Sequence, residues 1–187
     1  MSTSVLAKDK RYTYDDYLTW DNETRCELID GVIYMLSAPA WEHQDVGGAI
    51  FKQLANFLTG KSCKVFYAPF DVRLNADEGN DTVVQPDIVI ICDRSKLIGT
   101  GCVGTPDMVV EILSPSTSTM DRVVKFNKYL QFGVREYWIV DLESKSVSAH
   151  VLENGKYTTS AYGVADTPPV HILDGCQINL SEVFAGL

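Results

Sequence analysis

Histidine is scarce in this chain: His43, His150 and His171 stand far apart among 187 residues. A His-rich metal site is therefore disfavoured, and the pattern favours an oxygen-ligand site for Mg²⁺ or Mn²⁺. The five cysteines (Cys26, Cys63, Cys92, Cys102, Cys176) contain no C-x-x-C pair and leave one over. That pattern suits reduced, buried thiols better than disulfides or a zinc cluster. Positive charge is also short, with 16 Lys and Arg against 25 Asp and Glu and a net charge of −9. General affinity for nucleic acid is thereby disfavoured, because phosphate binding draws on Lys and Arg; only a local basic groove could supply it. No apolar run approaches the ~18–20 residues of a membrane span, so no membrane association is expected. The opening MSTSVLAKDKRY has no signal-peptide core, which places the protein in the cytoplasm by default. A G-x-S-x-G elbow is missing, and Gly47-Gly48 lacks the GK[ST] ending of a phosphate loop.

What remains is a chain that can fold. The hydrophobic content of 45% and mean hydropathy of −0.03 describe one globular domain over residues 1–187, with residues 1–12 as a loose basic arm. Thr13 precedes YDDYLTW as a helix cap, and Tyr14, Tyr17 and Leu18 form an apolar stripe. Asp30-Gly31 between CELI and VIYML predicts a hairpin with strands near 26–29 and 32–36. Val46, Ile50, Leu54 and Phe57 keep helical spacing over 41–59, with Gly47-Gly48 hinting at close packing inside that helix. KVFYAPFDVRL reads as one or two strands bent at Pro69, and VVQPDIVII as one buried strand. Residues 93–105 read as a Gly-rich mobile connection whose Arg94 and Lys96 could reach a phosphate. PDMVVEIL and REYWIVD are buried strands, and a helix near 120–132 joins them, its caps drawn from SPSTSTMD. In that helix Val123, Phe126 and Leu130 face the core, with Arg122, Lys125 and Tyr129 on an adjoining stripe. SVSAHVL and KYTTSAY form a hairpin through Asn154-Gly155, and a short strand and a helix near 180–184 end the chain.

Two acids sit where buried strands would not want them: Asp87 after Pro86, and Glu111 within MVVEIL. A buried, unpaired carboxylate costs several kcal/mol or takes up a proton, so such a pair demands a reason. Strand alternation puts Glu111 on the face of Val109 and Leu113, opposite Met108, Val110 and Ile112. With Asp87 on the neighbouring strand and the same face, the two can hold Mg²⁺, which takes one or two carboxylates and leaves room for waters and a substrate phosphate. Glu27 shares a face with Ile29 and brings a third acid inward.

QPDIVII, VVEILSPST, a D-x-x-x-K helix (Asp121 to Lys125) and GVREYWIVD, with the upstream ELIDG hairpin and His43, together resemble the Uma-type restriction endonucleases of the PD-(D/E)XK nuclease superfamily. The resemblance runs over roughly residues 13–145. It implies an α/β (α+β) restriction-endonuclease-like core: a central mixed sheet flanked by helices, with extra N- and C-terminal hairpins. It also implies hydrolysis of DNA phosphodiester bonds with one or two Mg²⁺ or Mn²⁺ ions, commonly by a homodimer. Asp87 and Glu111 match the metal-binding acids. The superfamily's E-x-K lysine is replaced by Leu113, and Lys125 of the next helix matches the lysine of the Uma-type series. Glu27 completes the catalytic set, while His43, Arg122 and Tyr129 fall to substrate binding. Beside acids the pKa of Lys125 should rise, which suits an electrostatic role and not a base. The missing E-x-K and the negative charge also fit an alternative, a nuclease-fold module of weak or no activity acting in binding or regulation.

Overall fold

The computed structural model describes residues 10–20, 25–77, 79–114 and 118–187. Residues 1–9 of the expected arm, Glu78 of the acidic turn and Pro115, Ser116 and Thr117 of the capping junction lie outside the described residues. Thr13 caps α1 (Tyr14–Tyr17) in a capping box, its hydroxyl accepting from the Asp16 N–H while the Asp16 carboxylate accepts from the Thr13 N–H. The helix ends after one turn, so Leu18 is exposed and does not extend the tyrosine stripe. β1 (Cys26–Ile29) and β2 (Val32–Met35) form the expected hairpin. Asp30 and Gly31 both take positive φ at its tip, 51° and 73°, as the twist of a two-residue hairpin turn requires.

Two six-stranded mixed sheets follow from the next strands. β3 (Lys64–Tyr67) and β4 (Asp71–Arg73) flank the cis Ala68–Pro69 peptide and enter different sheets. VVQPDIVII behaves the same way, and here the single-strand expectation fails. β5 (Val83–Val84) joins the first sheet and β6 (Ile88–Ile91) the second. Pro86 has no N–H for a ladder and the Gln85 N–H goes instead to Glu27 Oε1 at 2.7 Å, so pairing breaks at this point. Residues 93–105 are likewise not loop throughout, because β7 (Leu97–Ile98) and β8 (Gly101–Val103) close the first sheet. Gly101 lies against the Asp71 carbonyl, where a Cβ would clash, so only glycine allows the parallel pairing of β4 and β8.

The second sheet contains β9 (Met108–Ile112), β10 (Glu136–Asp141) and the long hairpin of β11 (Ser146–Glu153) and β12 (Lys156–Gly163). Its order is β12-β11-β10-β9-β6-β3, with β9 and β10 parallel; the first sheet runs β2-β1-β5-β4-β8-β7. One face of the second sheet packs Ile88, Ile90, Val110, Ile112 and Trp138 on α2 (Trp41–Leu58) and on α4 (Leu180–Val183). The other packs Val89, Ile91, Val109 and Leu113 against Ile29, Val72 and Val84 of the first sheet. Each such side chain, removed from water, stabilises the fold by roughly 1.5–3 kcal/mol. Among the described residues no helix is long and apolar enough to cross a membrane.

The helix after β9 corrects two readings. Its opening stretch, Met120–Lys125, is π-helical and continues as α3 (Phe126–Gln131). The inward face carries Asp121, Lys125 and Tyr129, while Val123 is 52% exposed. A polar stripe wins the interior because ionic partners wait there, and π-type winding shifts the register that 3.6-residue spacing would give. The expectation of five reduced thiols also fails in part. Strand pairing of Lys64 with Ile91 sets Cys63 opposite Cys92, and these two are joined as a disulfide. Cys26, Cys102 and Cys176 are free and buried, as expected.

The two helical glycines of α2 differ. A Cβ on Gly47 would lie 2.7 Å from the Tyr67 hydroxyl and 3.0 Å from Ile112 Cδ1, whereas one on Gly48 meets nothing within 4 Å. Gly48→Ala is expected to raise the unfolding free energy by about 1 kcal/mol through helix propensity. Gly47→Ala should forfeit that gain and lower stability by displacing Tyr67. Urea denaturation of both variants decides it, and equal gains would mean the Gly47 contact is soft.

Candidate active site

The break at Gln85–Asp87 creates the site. As the chain steps from β5 to β6 it carries Asp87 to the junction of the two sheets, one residue before the β6–β9 ladder, which pairs Ile88 with Val110. The same register sets Asp87 opposite Glu111, on the Val89 and Val109 face, as strand alternation predicts. In place of a further ladder bond, Asp87 Oδ2 accepts the Ile112 N–H at 2.7 Å. His43, in the first turn of α2, places Nε2 3.1 Å from the same oxygen. Burial lowers the His43 pKa, but the Asp87 hydrogen bond and charge outweigh it and hold the imidazole above its usual value.

Glu111 is 3% exposed and takes two donors on Oε1: Lys125 Nζ at 2.9 Å and the Tyr129 hydroxyl at 2.8 Å. Lys125 is itself 4% exposed and also reaches Glu27 Oε1 at 2.8 Å and Asp121 Oδ1 at 3.5 Å. Glu27 arrives from β1 of the other sheet, so the lysine joins both sheets and its own helix. Burial pulls the Lys125 pKa down; Glu111, Glu27 and Asp121 overcome this and leave it well above its ordinary value. Burial drives Glu111 well above the carboxylate range against Lys125, with Asp121, Asp87 and Glu27 adding to the rise. One charge balance explains both directions. Carboxyl groups outnumber the cations, so Lys125 stays protonated and the surplus acid favours a proton on Glu111. Burial, then the neighbouring Glu111, raises the Tyr129 phenol, which remains a donor fixing the orientation of that carboxyl group.

A cleft of about 290 Å³ opens on this cluster; Arg25, His43, Gln85, Asp87, Glu111 and Lys125 are among the residues lining it. Six of the seven residues singled out from the sequence thus meet: Glu27, Asp87, Glu111, Lys125 and Tyr129, and His43 through Asp87. Tyr129 is wholly buried behind Glu111. Arg122 is not brought in; it is paired with Asp141 at 2.8 Å on the surface. Sequence reasoning left Asp121 out of the site, although its position four residues before Lys125 puts both on one helical face. Arg25 and Gln85 were also passed over. Only the two-residue spacing from Arg25 to Glu27 carried a signal there.

The family model described as "Uma2: Putative restriction endonuclease" matches residues 14–181. The chain belongs to the Uma2 family. Its relatives include an uncharacterized protein of Synechocystis, slr1290, 27% identical over 177 residues that cover 92% of this chain and 91% of that protein. A second, sll1609 of the same organism, is 24% identical over 142 residues, covering 73% and 78% of the two chains. A crystal structure of a "putative nuclease belonging to DUF820" from Anabaena variabilis matches the Uma2 chain with a TM-score of 0.76 at 18% identity, covering 93% of this chain and 98% of that one. That likeness establishes the shared restriction-endonuclease-like α+β fold.

No group of three or more His, Cys, Asp or Glu side chains among the described residues is arranged to hold an ion. A pair suffices for Mg²⁺, which keeps most of its waters. Among the described residues the bonds to this pair's carboxylates fall on Asp87 Oδ2 and Glu111 Oε1, which leaves Oδ1 and Oε2 to offer to an ion. The donor set therefore fits a hard divalent cation.

Proposed function

We propose that this Uma2 protein is a Mg²⁺- or Mn²⁺-dependent endonuclease that hydrolyses DNA phosphodiester bonds, acting as the homodimer its family resemblance implies. The observation that carries the reading is the cleft in which Asp87 and Glu111 face each other beside a charged Lys125. Asp87 and Glu111 hold one or two ions in this reading. Bound there, such an ion supplies positive charge beside the scissile phosphate and makes water more acidic. Lys125 keeps its proton and opposes negative charge that develops on the phosphate, which a neutral amine could not do. His43 steadies Asp87 and Tyr129 steadies Glu111, while Glu27 and Asp121 hold the lysine in place.

A second reading has one observation in its favour. Lys125 is buried and already bonded on all sides, as in a purely structural ion cluster, which suits a binding or regulatory module that has kept only the fold. Incubation of purified protein with supercoiled, linear and single-stranded DNA separates the two. Nicking or cutting with Mg²⁺ or Mn²⁺ that EDTA stops is the expected result. DNA left intact in all three forms with both metals would overturn the enzyme reading.

A further inference from the structure

The cleft presents a difficulty for any polyanion, because carboxyl groups line its floor and its lysine is already engaged. Arg25 resolves it. It lines the cleft, and its guanidinium forms no ion pair among the described residues. Among the described residues its one side-chain bond is a long one, Nη2 to Gln85 Oε1 at 3.4 Å, and its buried Nε has no partner. Gln85 is held for this contact: its Nε2 donates to Asp71 Oδ1 at 2.9 Å and to the Tyr17 hydroxyl at 3.1 Å, which turns Oε1 towards the arginine. A buried donor left unpaired is costly, about 1–3 kcal/mol, and an incoming oxyanion relieves that cost. The cleft has a second buried nitrogen with no hydrogen-bond partner among the described residues. His43 is 8% exposed with Nδ1 unpartnered, and it sits in the first turn of α2, which no side chain caps. The dipole of this 18-residue helix adds positive potential on that side.

We propose that Arg25 is a phosphate-binding residue of the cleft, taking a phosphodiester of a nucleic-acid strand next to the one placed at Asp87 and Glu111. The identity of the anion rests on the nuclease reading; the unpaired guanidinium does not. Nε and a terminal nitrogen of arginine form a two-pronged donor face that matches two phosphate oxygens, a fit lysine cannot reproduce.

Fluorescence anisotropy with a short labelled oligodeoxynucleotide, single-stranded and duplex, in EDTA and low salt tests this without catalysis. Arg25→Gln is expected to weaken binding about ten-fold or more and to lower the slope of log affinity against log salt by about one. Arg25→Lys should recover part of the affinity but not all. Arg73→Gln, which alters a guanidinium already bonded to Asn80 and stacked on Tyr14, should bind as wild type does. Circular dichroism melting confirms that each variant is folded. Equal affinity of wild type and Arg25→Gln, or no binding by wild type, overturns the proposal. Binding that depends on Arg25 in a protein that never cuts DNA would sink the nuclease reading and leave this site standing. Cutting with unchanged KM in Arg25→Gln would do the reverse.

Discussion

Lys125→Met is expected to lower the unfolding free energy by about 3–5 kcal/mol at neutral pH, the usual cost of removing one partner from a buried ionic cluster. Methionine fills nearly the same volume, so the loss reports charge and not a cavity. Without the ammonium group, Glu27, Glu111 and Asp121 confront one another at exposures of 1–3%. The pH dependence follows in sign. In the wild type the Lys125 pKa lies well above 10.5, so its contribution is fully present below that value and fades only in strong alkali. In the variant the crowded carboxyl groups rise above their unfolded pKa values, so the folded state binds the extra protons and stability falls as pH rises. The deficit should therefore shrink on acidification towards about pH 5. Urea unfolding at mildly alkaline and mildly acidic pH measures it. A deficit below about 1 kcal/mol, or one that grows in acid, contradicts the cluster as described.

The second large effect concerns the metal pair. Glu111→Gln keeps an acceptor oxygen for Lys125 and Tyr129, and Asp87→Asn keeps one for the Ile112 N–H, so both variants should fold. Each removes one of two anionic ligands. Cleavage should fall at least about 10²-fold, because several kcal/mol of transition-state stabilisation depend on the ion. Calorimetric titration should lose saturable Mg²⁺ binding in the same variants. Unchanged cutting by either one would remove its carboxylate from the chemistry. Saturable binding by neither wild type nor variants would favour the module without activity.

Much of this arrangement could be read from residue order. Period-two alternation set Glu111 against Val109 and Leu113, and the sheet packing keeps that assignment. The Asp30-Gly31 and Asn154-Gly155 turns demanded positive φ, and both hairpins formed where those pairs stand. The helix after β9 misled because a regular period puts Val123 on the core face and leaves Lys125 on an adjoining stripe. Burial there was decided by carboxylates from β1 and β9, which no local window contains. Cys63 and Cys92 are 29 residues apart and meet only through strand pairing.

By itself the sequence determined the acids and their strand faces, since these follow from local geometry with a period of two residues, while the lysine four residues after Asp121 was marked by the family resemblance and not by periodicity. The tertiary structure alone decided that VVQPDIVII divides between two sheets at Pro86, because that depends on where the Gln85 N–H finds an acceptor, and the acceptor is Glu27, 58 residues away. That one non-local bond helps bring Asp87 to the same cleft as Glu111 and Lys125, beside Arg25, which has no counter-ion among the described residues.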